Sequence, residues 1–137
     1  MNKHPNLRAY LAGIAIPTVF LLVATAGYTI IRYVYKLPVP IERVIVFPMA
    51  VVPNAWGLWN VLYRKFFAQR HVSLGLFGGA LPLLLAPCGY LVARLLAFPV
   101  PHGVFKVAPF ALPVFLIIYY FVWKHFVAFL NAELGVA

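Results

Sequence analysis

The spacing of the charged residues constrains this chain most, because the charges separate four long apolar stretches. These stretches contain 23, 20, 22 and 17 residues, and their boundaries are Arg8 and Arg32, Arg43 and Arg64, His71 and Arg94, and Lys106 and Lys124. A transmembrane helix needs roughly 20 apolar residues to cross about 30 Å of hydrocarbon. The sequence therefore predicts four transmembrane helices, and the two lysines that bound the last stretch extend their amines outward to the headgroups.

The composition excludes the main alternatives to a helical membrane protein. Apolar residues make up 65% of the 137 residues and charged residues only 9%, whereas a soluble domain is about a quarter charged. The apolar runs also lack the alternation of β-barrel strands. We therefore expect an all-α, integral membrane four-helix bundle that forms a single membrane domain over residues 1–137. The transmembrane helices are expected at residues 7–35, 41–63, 74–96 and 107–130.

The net charge of +9 points to lipid rather than to nucleic acid. The cations separate apolar runs and form no basic face on a soluble domain, so we expect anionic headgroups and no nucleic acid as partners. With the N-terminus inside, six cations lie on the cytoplasmic side and five on the other. The compact loop with Arg64, Lys65 and Arg70 favours two cytoplasmic termini in a bacterial-type inner membrane. No cleavable signal peptide is evident, so the first helix is expected to be retained.

Two segments of the chain resemble each other. Residues 21–32 (LLVATAGYTIIR) and 83–94 (LLLAPCGYLVAR) share the frame Leu-Leu-x-Ala-x-x-Gly-Tyr-x-x-x-Arg at an offset of 62. A Pro-Val-Pro tripeptide follows each of them. We interpret this pattern as an internal repeat, approximately residues 17–66 and 78–130, that forms two tandem similar helical hairpins. Each half has an even number of spans, which predicts a parallel repeat with a pseudo-two-fold axis along the membrane normal.

The repeat places two tyrosine–arginine pairs at similar depth beside the Pro-Val-Pro loops, and a histidine follows the second loop. Arginine pairs bidentately with phosphate or carboxylate, so these side chains predict a site for a lipid headgroup or another small anion. The alternative is a basic rim that contacts headgroups without forming one site. The predicted site consists of Tyr28, Arg32, Tyr90, Arg94 and His102.

Several polar side chains lie inside the predicted spans. Thr25 and Thr29 share one face of the first helix, and Asn54 and Asn60 lie in the second. Such side chains usually hydrogen-bond to another helix, although threonine also bonds to its own backbone. We expect interhelical contacts at all four positions. The alternative is a polar path for a solute, which would also include Thr18.

Prolines and glycines indicate where the helices bend or approach one another. An interior proline removes a helical hydrogen bond and tends to kink the helix. Two interpretations stay open: one half of the bundle is splayed around a cavity, or neighbouring helices pack around each proline. Gly75 and Gly79 form a small-xxx-small pair that permits close approach of another helix. Seven of the 12 prolines lie inside the predicted spans: Pro17, Pro48, Pro53, Pro82, Pro87, Pro109 and Pro113.

Residues suited to catalysis are scarce. The only acids, Glu42 and Glu133, lie at span ends, and the single cysteine, Cys88, has no partner for a redox pair. His71 and His125 share one predicted interface, but interfacial histidines more often contact water or phosphate than haem or a metal. We therefore expect no catalytic residue, no metal and no cofactor.

Three functions are compatible with these features. The leading hypothesis is a small non-enzymatic membrane protein that acts as an accessory or scaffold subunit, packed against other membrane proteins or anionic lipids. It would work within a larger membrane complex or a homo-oligomer. The alternative is an oligomeric transporter or channel for a small solute or an anion. The third is an enzyme that acts on lipid headgroups with His102 as the base, although no orienting acid or metal set accompanies it.

Overall fold

Four long apolar helices make up most of the protein, and each is long and apolar enough to cross a membrane. The computed structural model describes residues 3–136, except for the side chain of Val44. The predicted all-α four-helix fold is confirmed, and the described residues form no strand. We call the four helices span 1 (Pro5–Tyr33), span 2 (Ile41–Phe67), span 3 (Leu74–Leu95) and span 4 (His102–Glu133).

Spans 2, 3 and 4 change helix type or break along their length, whereas span 1 is one continuous α-helix. The two breaks come at residues 50–51 and at Ala80, and Pro53 and Pro82 lie in the first turn of the helices that follow. A first-turn proline loses no helical hydrogen bond there, because its N–H would have no helical partner. The segments are Ile41–Val44, Ile45–Met49 (π), Val52–Leu62 and Tyr63–Phe67 (π) in span 2; Leu74–Gly79 and Leu81–Leu95 in span 3; and His102–Val122, Trp123–Val127 (π) and Ala128–Glu133 in span 4.

Hydrogen bonds bring both ends of the described chain to one end of the bundle. Arg8 donates to the carbonyl of Leu134 over 3.2 Å, and Arg64 donates to Asn6 over 2.8 Å. The loop at residues 68–73 lies at the same end, because the Tyr63 hydroxyl donates to a carbonyl within that loop over 2.8 Å. We call this the terminal end of the bundle.

The two Pro-Val-Pro tripeptides lie together at the opposite end, which we call the Pro-Val-Pro end. The guanidinium of Arg43, which follows the first tripeptide, lies 5.9 Å from the ring centroid of Phe98, just before the second. Four spans place both loops at one end whether or not the halves share an origin. The internal repeat therefore stays a prediction.

Burial is confined to the terminal end and the middle of the bundle. No described residue between 18 and 55, or between 86 and 122, has a buried side chain. Each span thus packs tightly along only part of its length. We call residues 18–55 and 86–122 the open half of the bundle, and the other described residues the terminal half. The buried residues are Ala9, Ala12, Gly13, Pro17, Trp56, Gly57, Asn60, Gly75, Gly78, Leu81, Pro82, Leu85, Trp123, Val127, Asn131 and Val136.

Glycines allow the close approach of helices in the terminal half. A Cβ at Gly13 would lie 2.6 Å from the carbonyl oxygen of Trp56, and a Cβ at Gly78 would overlap the indole of Trp123. A Cβ at Gly79, which the sequence paired with Gly75, would make only an ordinary contact at 3.4 Å. Van der Waals packing of this kind is what holds helices together in lipid, where the hydrophobic effect gives them little mutual attraction.

Candidate functional site

The five residues predicted to bind an anion lie near the Pro-Val-Pro end, and no hydrogen bond, ion pair or ring contact among the described residues joins any two of them. Arg32 forms a salt bridge with Glu42, with 2.7 Å between Nη1 and Oε1. The ring of Tyr90 packs edge-on against Phe105, with 5.7 Å between centroids. The side chains of Tyr28, Arg94 and His102 are exposed. Because Glu42 occupies the Arg32 guanidinium, Arg32 is less available to an anion than the sequence indicated.

The polar residues of spans 1 and 2 divide between neighbouring helices and their own backbone. The Thr25 hydroxyl donates to the sulfur of Met49 in span 2 over 3.1 Å. Asn54 accepts a hydrogen bond from the hydroxyl of Tyr10 in span 1. Thr29 instead donates to the Thr25 carbonyl one turn earlier in its own helix, over 2.8 Å. A threonine hydroxyl reaches that carbonyl without any neighbouring helix.

A buried pair of amides joins three spans in the terminal half. Asn60 donates to the Ala9 carbonyl and to the Asn131 side-chain oxygen, both over 2.7 Å. Asn131 donates back to the Asn60 oxygen over 3.1 Å. Asn131 was not among the predicted polar contacts, because the predicted fourth helix ended one residue before it. The signal that would have identified it is its residue type, since a second amide near a membrane interface is a natural partner for Asn60.

An aromatic cluster occupies the middle of the bundle beside this pair. The Trp56 indole donates to the Tyr119 hydroxyl over 3.4 Å, and their ring centroids lie 4.9 Å apart. Trp123 packs against Trp56 at 5.2 Å and is fully buried. Its indole nitrogen has no hydrogen-bond partner among the described residues. These large rings fill the bundle centre and separate the terminal half from the open half.

That open half contains three adjoining cavities between spans 2, 3 and 4. The largest, about 490 Å³, lies between spans 3 and 4, and a second of about 290 Å³ lies deeper among all three spans. A third of about 240 Å³ opens at the Pro-Val-Pro end. Ala86 and Phe115 line the first and second cavities, and Phe47 and Gly89 line the second and third. Neighbouring cavities therefore share wall residues, and we call the three together the cleft.

The chemistry of the cleft differs along its length. Most of its wall is aliphatic or aromatic side chain and carries no charge. Tyr119 lies at the inner end, where its hydroxyl accepts from Trp56. Arg43 lines the mouth beside Phe98. The cleft therefore offers an apolar channel that begins at a cation, an arrangement suited to an amphiphile with a negative head.

One close contact joins two residues that line both the second and the third cavity. A Cβ at Gly89 would lie 3.2 Å from the ring of Phe47, which is tighter than side chains normally pack. The glycine therefore lets the Phe47 ring rest against span 3. Gly27 is the corresponding glycine of the proposed repeat, and no described atom of another span lies within 4 Å of its Cβ position.

Residues suited to metal binding or redox chemistry stay apart in the described chain. Within residues 3–136, no three His, Cys, Asp or Glu side chains come close enough to hold a metal ion. Cys88 is a free, partly buried thiol in span 3.

No protein-family model, curated protein or solved structure matches this chain.

Proposed function

We propose that this protein is a non-enzymatic integral membrane protein that acts as an accessory or scaffold subunit, packed against other membrane proteins or anionic lipids. One observation carries the proposal. The 21-residue segment His102–Val122 of span 4 has no buried residue, although it belongs to a four-helix bundle. A helix that is apolar on all sides needs neighbours around its circumference. Those neighbours must come largely from outside the described chain.

The division of the bundle supports the same role. The terminal half holds itself together through the amide pair and the glycine contacts, so it can anchor the chain in the bilayer. The other half exposes apolar surface on more than one helix, including Leu91 in span 3 and Phe110 in span 4. A stable anchor combined with an open lateral surface is what a subunit needs to dock beside a larger membrane protein.

We also propose that the terminal end faces the cytoplasm of a bacterial-type inner membrane. The support is the loop cluster of Arg64, Lys65 and Arg70, together with the excess of six cations over five on that side. Positively charged short loops are retained on the cytoplasmic side during insertion. Cysteine labelling of His71 and His102 variants in intact cells tests the orientation, since only the external position reacts with a membrane-impermeant thiol reagent.

Site-specific photocrosslinking in native membranes tests the accessory role. A photoreactive phenylalanine analogue at outward positions of span 4 should give one protein adduct of constant mass, stronger on one helical face than at the span 1 control position Phe20. Adducts to lipid alone at every position would contradict the role. Adducts only to copies of this chain would instead favour a homo-oligomer. The span 4 positions are Phe110, Val114, Ile117 and Phe121.

Transport of a small solute or an anion is the second candidate, and the open half of the bundle favours it. An oligomer could enclose a path between such open halves. However, Thr29 bonds to its own helix and Asn60 lies in the buried amide pair, so these polar groups are occupied by packing. Flux into liposomes that Arg32→Ala plus Arg94→Ala abolishes would favour transport over the accessory role.

A further inference from the structure

We infer that the cleft between spans 2, 3 and 4 is a binding site for one acyl chain of an anionic phospholipid, whose headgroup Arg43 binds at the mouth. The inference rests on the lipid-binding part of the proposed function and identifies the site and the lipid class. It does not require a protein partner. The argument depends on the length of the cleft, its lining and the charge at its mouth.

The length of the cleft suits a lipid chain. Its lining on span 4 runs from Gly103 to Tyr119, which is about 24 Å at about 1.5 Å per residue. One leaflet of the hydrocarbon core is about 15 Å thick, half of the roughly 30 Å total. A chain whose headgroup lies at the Pro-Val-Pro end therefore reaches the midplane within the cleft. There Leu85, which is buried, and the aromatic cluster close its inner end.

The volume of the cleft favours a chain over a protein helix. A helix with its side chains is about 10–12 Å across, so a length of about 24 Å occupies roughly 2,000 Å³ or more, which exceeds the volumes of the two cavities along span 4, about 490 and 290 Å³. An acyl chain is far thinner, and it needs no polar partner along the apolar wall. A second protein can dock on the outer face of span 4, but the cleft itself fits a lipid chain.

The charge at the mouth selects the headgroup. Five cations and one carboxylate, Glu42, lie in the loops and span ends at the Pro-Val-Pro end. Glu42 forms its salt bridge with Arg32, whereas Arg43 lines the mouth with its guanidinium against Phe98. A basic pocket between transmembrane helices binds anionic headgroups. Arginine also pairs bidentately with phosphate, so Arg43 is the residue that positions the headgroup.

Fluorescence quenching by brominated lipids in nanodiscs tests this site. Bromine atoms near the methyl end of a chain in the cleft come close to Trp56, which packs against Tyr119 at the inner end. We titrate brominated phosphatidylglycerol or brominated phosphatidylcholine into unlabelled phosphatidylcholine. The wild type should show saturable quenching, half-complete at a roughly fivefold lower fraction of the anionic lipid, as expected for one cation that contacts the headgroup. Quenching that rises linearly and equally with both lipids would overturn the proposal.

Matched variants locate the lipid. Arg43→Gln should remove the preference for phosphatidylglycerol, whereas Arg70→Gln at the terminal end should keep it. Ala86→Phe fills the shared wall of the two larger cavities and should reduce quenching by both lipids, whereas Ala26→Phe on the exposed face of span 1 should not. Unchanged quenching in Ala86→Phe would place the lipid elsewhere and contradict the inference.

Two readouts keep the outcomes separate. If Ala86→Phe is not monodisperse after size-exclusion chromatography, Ala108→Leu repeats the test from the wall of the cavity of about 490 Å³. A protein adduct on span 4 without any lipid preference would uphold the accessory role and overturn the lipid site. A saturable preference that Arg43→Gln abolishes, without a protein adduct, would uphold the lipid site alone.

Discussion

The two halves of this bundle belong to the same four apolar spans but differ sharply in packing. Near the terminal end, glycines bring backbones together and the amide pair joins three spans. Near the Pro-Val-Pro end, the spans meet through isolated contacts such as the Thr25–Met49 hydrogen bond and the Tyr90–Phe105 ring pair. Apolar side chains alone do not draw helices together in lipid. The difference shows that small residues at facing positions, rather than hydrophobicity, determine where this bundle closes.

Individual glycines show the same difference in packing between the two halves. Gly13 and Gly78 face a backbone carbonyl and an indole in the terminal half, whereas no described atom of another span lies within 4 Å of the Cβ positions of Gly27 and Gly103. The residue type is identical, and only the neighbours differ. Substitutions at these positions can therefore separate packing from the intrinsic helix propensity of glycine.

The largest effect is expected at Gly78. Gly78→Leu places a side chain where the Trp123 indole lies, and the tightly packed neighbours cannot move without losing other contacts. We expect a loss of about 3 kcal/mol in the free energy of unfolding, at the upper end for overpacked sites. Unfolding in mixed micelles with increasing dodecyl sulfate, followed by tryptophan fluorescence, measures it. The control Gly27→Leu meets no such clash and should raise the midpoint slightly, because leucine favours a helix over glycine; equal losses in both variants would refute the proposed difference between the halves.

The next largest effect is expected from the amide pair. Asn60→Leu removes the partner of Asn131 and of the Ala9 carbonyl, which should lower the free energy of unfolding by about 1–2 kcal/mol. Asn54→Leu, at an exposed position, should cost less. The double variant Asn60→Leu/Asn131→Leu should cost less than the sum of the two single changes, because neither amide is then left unpaired. Strict additivity would show that the two amides do not interact.

The number and type of the spans could be predicted from sequence because lipid leaves few options. A long uncharged apolar run must form a helix to satisfy its own backbone, and the spacing of charges therefore located all four helices. The ends were harder to predict. The fourth helix was expected from residue 107 but begins at His102. Pro101, the last residue of the second Pro-Val-Pro tripeptide, has an extended backbone and is the N-cap residue, so the helix starts directly after the tripeptide. The second continues to Phe67, since Arg64 and Lys65 can remain helical while their charged groups reach the headgroups.

The candidate site was less predictable because it depends on residues brought together by packing. Asn60 could be chosen from its residue type, but its partner lay beyond the predicted helix. Arg32 could have been matched with Glu42, the sole acid of its end, ten residues along the chain. The cleft has no local sequence signal at all. It arises where spans 2, 3 and 4 diverge, and the role of Arg43 follows only from its place at the mouth.

In the open half, a smaller and stabilising effect is expected at the end of span 3. Ala97 has a φ of 54°, a left-handed conformation that costs a non-glycine residue roughly 1–2 kcal/mol. Phe98 closes the turn by donating to the Ala93 carbonyl over 2.8 Å. Ala97→Gly should therefore raise the free energy of unfolding by up to about 1 kcal/mol. Ala26→Gly, inside span 1, should lower it, and a loss of stability in Ala97→Gly would contradict the argument.

The smallest effect is expected at the salt bridge between Arg32 and Glu42. Both side chains are well exposed, at 37% and 67%, so solvent and salt screen their attraction and surface pairs of this kind add little stability. Arg32→Gln should leave the unfolding midpoint within experimental error, at low and at high salt. The same variant frees the Glu42 carboxylate beside Arg43, and in the brominated-lipid titration it should therefore weaken the preference for phosphatidylglycerol. A clear loss of stability without any change in lipid preference would mean that this pair belongs to the structural scaffold, and that the open half depends on more than its isolated contacts.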